Sequence, residues 1–212
     1  EPVALWLKGG ELSESYVLGV GLERKTRIEV AAQYTVFGFT HILPKGLDHI
    51  LFVLGLFLLS LRWKPLLIQV TAFTVAHTIT LGLSIYGIIS LSPAIVEPLI
   101  AVSIAYVAVE NMLTAELKPW RAFVVFGFGL LHGLGFAGVL SEIGLPRSEF
   151  VTALLSFNVG VELGQLTVIS VAYLLIGLWW KAKAWYRARV VWPLSALIAV
   201  VGVYWTIERI FS

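Results

Sequence analysis

The 212 residues contain no cysteine. Disulfides, thiolate metal sites and thiol catalysis are therefore excluded. Charge is scarce: Asp, Glu, Lys and Arg make up 13% of the chain, where a soluble domain carries about 25%. The net charge of +2 is too small for the basic footprint of a nucleic-acid binder, so no nucleic-acid partner is expected. The one methionine is Met112, and the chain begins at Glu1. A start methionine, with a leader peptide or an upstream region, is expected ahead of it. No Walker sequence or other nucleotide motif is visible, and there is no internal repeat or low-complexity tract.

What the chain has instead is apolar surface. Hydrophobic residues are 58% and the mean hydropathy is +0.90, more than a soluble domain of this size can hide. Long runs with few charges approach the roughly 20 residues a helix needs to cross a bilayer. Lipid offers the backbone no partner, so such runs must be helical. The fold class expected is an all-α membrane protein, a bundle of about six transmembrane helices.

The spans fall at residues 46–61, 65–88, 93–115, 119–140, 146–180 and 190–210. A half-inserted piece, 31–43, precedes the first and ends at Pro44. Four spans begin at a proline (Pro65, Pro93, Pro119, Pro146), which suits a first helical turn. Residues 1–30 read differently: short strand-like stretches separated by Gly9-Gly10 and the charged Glu23-Arg24-Lys25. They are expected to be a short β-like extracytoplasmic segment, the remnant of a larger region, followed by a membrane domain over 31–212.

Lys and Arg set the orientation. The loops after the first, third and fifth spans hold Arg62 and Lys64, Lys118 and Arg121, and Lys181, Lys183, Arg187 and Arg189. The intervening loops hold only Arg147. By the positive-inside rule the basic loops are cytoplasmic and both termini lie outside the prokaryotic cytoplasmic membrane. Trp63, Trp120, Trp179 and Trp180 sit beside the cytoplasmic loops, as an interfacial aromatic belt would. Lys8, Arg24, Lys25 and Arg27 pull mildly the other way.

Polar groups inside a span are costly, so each is a functional candidate. The four histidines, His41, His49, His77 and His132, all fall in the outer half or near the middle of the membrane. Asp48 adjoins His49. Asn158, Glu162 and Gln165 share one face of the fifth span. Imidazole with carboxylate suits a divalent transition ion such as nickel, cobalt or zinc. Any one histidine could equally be a packing residue held by hydrogen bonds. A layer of four with Asp48 and Glu162 points to a site.

Other polar residues extend the picture. Thr74, His77 and Ser84 share a face of the second span, although a threonine hydroxyl often bonds back to its own helix. Gly129 and Gly133 allow close helix approach beside His132. Glu110, with Ser103 and Tyr106 on its face, forms a stripe toward the cytoplasmic end, a candidate inner pathway together with Thr74, Asn158 and Gln165. Pairing of Glu110 with Lys118 or Arg121 is the competing reading.

The stretch His41-Ile42-Leu43-Pro44-Lys45-Gly46-Leu47-Asp48-His49-Ile50-Leu51-Phe52 resembles the first-helix signature of the HupE/UreJ family. Leu131-His132-Gly133-Leu134-Gly135-Phe136-Ala137 is similar to that family's second histidine motif. The resemblance runs from about Thr35 to Leu175. It implies a small polytopic protein linked to hydrogenase and urease maturation, a nickel or cobalt permease, with His41, Asp48, His49 and His132 as metal-binding residues. There are departures. Six residues separate His41 from Asp48, where the permease pattern has five. A second histidine and an acid of the second motif are matched here by Phe136 and Val139. Glu162 is a candidate to replace that acid. These changes fit a divergent branch with an extra extracytoplasmic region.

Three functions are in contention. The first is a divalent-metal permease or binding protein using His41, Asp48, His49, His77, His132 and Glu162. The second is an intramembrane zinc hydrolase, with an open coordination position for water. The third is a structural, haem- or metal-binding subunit of a larger membrane complex, in which His77 and His132 could ligate haem. The expected partners are the lipid bilayer, the metal ion, and other membrane subunits or further copies of the chain.

Overall fold

The computed structural model describes residues 26–143 and 149–211, with the backbone alone for 137–143. The strand-like stretches expected before residue 26 lie outside the described residues. Among the described residues there is helix and no strand.

Helix α1 (Arg27–Ile42) starts at a capping box: Thr26 accepts from the Glu29 backbone N–H, and the Glu29 carboxylate reaches back to the Thr26 N–H. Residues 27–30, expected to close the N-terminal segment, are thus the first turn of this helix. A short turn leads to α2 (Leu47–Leu59), whose axis is bent 73° from that of α1. The pair corresponds to the half-inserted piece and first span expected from sequence. Next come α3 (Trp63–Ile85), α4 (Pro93–Leu113), α5 (Arg121–Ile143) and α6 (Phe150–Ala172). A wider π-type turn, Tyr173–Gly177, carries α6 into α7 (Leu178–Trp180), and a second, Arg187–Val191, leads into α8 (Trp192–Phe211). Helix α4 begins at Pro93 as expected, whereas α3 starts two residues ahead of Pro65.

Four helical stretches are individually long and apolar enough to cross a membrane, and the bent α1–α2 pair makes a fifth if it counts as one span. The chain is built inside out relative to a soluble protein. Leu155, Val159 and Leu163 of α6 are exposed, as are Leu197, Val200 and Ile207 of α8, while Asn158, Gln165 and Ser195 on the same helices are buried. Only lipid makes that arrangement favourable. This is an integral membrane protein.

Three close pairings organise the bundle: α1 on α6, α3 on α5, and α4 on α8. Small residues permit them. A Cβ on Gly38 would strike the Phe157 carbonyl, and one on Gly160 would strike the Thr35 carbonyl, so α1 and α6 meet backbone to backbone. Gly129 and Gly133 do the same for α5 against Phe73 and His77 of α3. Arg27 pairs with Glu149 at 3.1 Å, so α1 and α6 start together and run the same way. These seams fix α1, α3 and α5, and with them three histidines.

Candidate metal centre

The four histidines converge, one each from α1, α2, α3 and α5. His41 and His49 have ring centroids 4.8 Å apart, His49 and His132 4.9 Å, His49 and His77 5.9 Å, and His41 and His77 6.2 Å. His49 is the hub. Ligand nitrogens of His41, His49 and His77 all lie within 4.8 Å of one another, a spacing that could hold one ion. His77 is fully buried, His132 and His49 nearly so, and His41 half-buried.

The hydrogen-bonding ledger marks this cluster. A neutral imidazole has one donor and one acceptor nitrogen. Here His41 Nε2, His49 Nε2, His77 Nε2 and His132 Nδ1 are buried without a protein partner. Each such atom costs about 1–3 kcal/mol if left bare. Three of these rings, His41, His49 and His77, form a donor set of a kind suited to a divalent ion, and His132 lies outside that close group, against His49. The remaining bonds anchor two rings: His77 Nδ1 lies 2.9 Å from Asn158 Oδ1, and His132 Nε2 lies 3.1 Å from Ser103 Oγ.

Aromatic rings close the cluster on both sides. Phe136 stands 3.9 Å, centroid to centroid, from His41 and stacks on Phe157 at 5.2 Å. Phe52 and Phe73, both fully buried, contact His132 at 5.4 and 5.0 Å. Phe73 also lies 5.7 Å from His49. Each of these phenylalanines except Phe157 is one helical turn from a histidine on its own helix. Sequence reading treated Phe136 only as a departure from the family motif and passed over the others. Aromatic residues one turn from each histidine were the available signal.

The carboxylates go elsewhere. Asp48, next to His49 on α2, faces away and pairs with Arg209 at 3.0 Å. Glu162 accepts a hydrogen bond from Thr71 Oγ1 at 2.7 Å. Thr74 bonds back to the Val70 carbonyl and also lies 3.3 Å from Gln165 Oε1. Asn158 is brought into the cluster, as the partner of His77.

Glu110 is paired with the buried Arg121, 3.0 Å from Oε2 to Nε, as the competing reading had it. That pair belongs to a separate network. Asn111 donates to the Gly55 carbonyl at 2.8 Å and accepts from Arg121 at 3.2 Å. Arg187 donates to the carbonyls of Asn111 and Thr114 at 2.9 and 2.6 Å. The network ties α2, the end of α4, the start of α5 and the turn that leads into α8 together. Ser103, grouped with Glu110 from sequence, bonds His132 instead.

No curated protein and no solved structure matches the chain. The family model described as HupE / UreJ protein matches residues 20–209, nearly the whole chain and every histidine of the cluster. That family implies a membrane accessory protein or transporter for metal, nickel or cobalt. The chain belongs to the HupE/UreJ family.

Proposed function

We propose that this protein is a permease or binding protein for a divalent transition metal ion (nickel, cobalt or zinc), with His41, His49, His77 and His132 as the ligands. The observation that supports this reading is the convergence of histidines from four helices, each with a buried ring nitrogen that has no protein partner, three of them with ligand atoms within 4.8 Å of one another and His132 against His49. Imidazole donors without a carboxylate favour nickel, cobalt, zinc or copper over magnesium, calcium or manganese. Neutral ligands leave the charge of the ion uncompensated, which keeps the site weak enough for release.

The ion enters from the outer face past Phe136 and leaves inward along α3 and α6, past Thr74, Glu162 and Gln165. Both termini lie outside the cytoplasmic membrane, and Arg121, Arg187 and their network mark the cytoplasmic end. A zinc hydrolase is less well supported: Asp48 is held by Arg209 and Glu162 by Thr71, so neither stands ready as the acid/base.

Elemental analysis of detergent-purified protein, loaded with nickel, cobalt or zinc, tests the reading. Near-stoichiometric metal in the wild type, lost in His77→Ala/His132→Ala, is expected. Equal loading of both proteins would overturn it. Reporter fusions in the 181–189 loop should give a cytoplasmic signal, and a periplasmic one would reverse the orientation.

A further inference from the structure

The histidines of the cluster present different nitrogens, and the residues behind them say why. We infer that Ser103 and Asn158 are positioning residues that set opposite tautomers on His132 and His77, so that His132 leaves Nδ1 bare and His77 leaves Nε2 bare, each ring lying against His49 in the same cluster. This rests on the metal reading above for the identity of the ligand. The tautomers themselves follow from the hydrogen bonds alone.

Consider Ser103 first. A hydroxyl has one proton to give. Ser103 Oγ lies 2.7 Å from the Ile100 carbonyl, an acceptor only, so the proton goes there. Toward His132 Nε2, at 3.1 Å, the serine can then only accept. Nε2 must carry the ring hydrogen, and Nδ1 is left with a bare lone pair. Nδ1 is the His132 atom that is buried without a partner.

Asn158 acts by the same logic on the other nitrogen. Its Nδ2 donates to the Leu154 carbonyl at 2.9 Å, which fixes the amide orientation and turns Oδ1 toward His77. A carbonyl oxygen accepts, so His77 Nδ1 carries the hydrogen at 2.9 Å and Nε2 is bare. Nε2 is the unpartnered His77 atom. Two independent chains of bonds, each ending on a backbone carbonyl of its own helix, thus leave two lone pairs in one cluster. Outer partners that fix ring orientation and tautomer are worth about 10- to 100-fold in metal affinity. Sequence proximity gives no hint of either pair, because Ser103 and Asn158 are far along the chain from the rings they orient.

Nitrogen-15 spectra of histidine-labelled protein without metal test this directly, since protonated and bare ring nitrogens resonate apart. His132 is expected as the Nε2–H form and His77 as the Nδ1–H form, each assigned by its own substitution. Ser103→Ala should mix the His132 tautomers and weaken nickel binding by about 10-fold or more. Ser103→Thr, which keeps the hydroxyl, should restore both. Asn158→Leu should do the same to His77, and Asn158→Asp, which still accepts at that position, should preserve the Nδ1–H form. A wild-type His132 in the Nδ1–H form, or Ser103→Ala with unchanged tautomer and affinity, would overturn the inference. A wild type that shows the stated tautomers but takes up no nickel, cobalt or zinc would sink the metal reading, with the positioning role judged on the spectra.

Discussion

Arg209 Nη2 contacts both oxygens of Asp48, at 3.1 Å from Oδ1 and 3.0 Å from Oδ2, and so turns that carboxylate away from the histidine next to it in sequence. Arg209 also donates to the Glu97 carbonyl at 3.1 Å, tying α8 to the starts of α2 and α4. Asp48→Asn is therefore expected to lower thermal stability, on the order of 1 kcal/mol for a partly buried pair. Nickel affinity should stay within about twofold, a few tenths of a kcal/mol. Calorimetry and a binding titration on the same preparation check both halves. Lost binding with an unchanged melting temperature would return Asp48 to the site.

The Glu110–Arg121 pair makes the opposite case, in which neutralising an acid threatens the fold. Arg121 is 1% exposed and Glu110 12%. Glu110→Gln leaves a buried guanidinium with less than its full counter-charge, a defect worth about 3 kcal/mol. Detergent melting should show that loss with metal affinity unchanged. Glu162→Gln, on the proposed exit route, should melt normally and slow metal release in vesicles. The reverse pattern would move the pathway to α4.

Where α1 lies on α6 there is no space for a side chain. Gly38→Ala would push a methyl into the Phe157 carbonyl, and Gly38 is one turn before His41. Overpacking of this kind costs about 1–3 kcal/mol. The displaced α1 should also weaken metal binding, because His41 travels with it. A variant of normal stability and affinity would show that the α1–α6 seam yields freely.

Phe136 covers His41 and is only half-buried, so its removal opens the cluster without emptying the core. Phe136→Ala is expected to speed both association and dissociation of nickel in stopped-flow, with the equilibrium constant much less changed. Unaltered rates would mean that this ring does not limit access.

Glu149, at the start of α6 outside the spans, has its carboxyl held below the usual range. The larger cause is the hydrogen bond from Thr152, followed by that from Arg27. A depressed acid contributes stability above its unfolded pKa, and that contribution fades as pH falls through the folded value. The difference in melting temperature between wild type and Glu149→Gln should thus be present at neutral pH and vanish in acid. A difference that grows on acidification would reverse the sign.

The location of the histidines along the chain was legible because each sits in an apolar run, where a polar group stands out. Their grouping with Asp48 and Glu162 came from comparing depths alone. Depth orders residues along the membrane normal and says nothing about direction around a helix. Asp48 and His49 have almost the same depth and point about 100° apart, a consequence of 3.6 residues per turn. Ser103 and Glu110 share a face of α4, yet one meets His132 and the other Arg121, because different helices pass at the two heights.

The sequence by itself determined the class of the protein, its helices, and which side chains were expensive enough to need a purpose. Those properties depend on local apolarity and on the obligation of a backbone in lipid to bond to itself. The tertiary structure alone decided which ring nitrogens are left without a protein partner, which carboxylates are already spoken for, and which aromatic rings shut the cluster. These are matters of contact between segments as far apart as Asp48 and Arg209, and only the packing of helices against one another sets them.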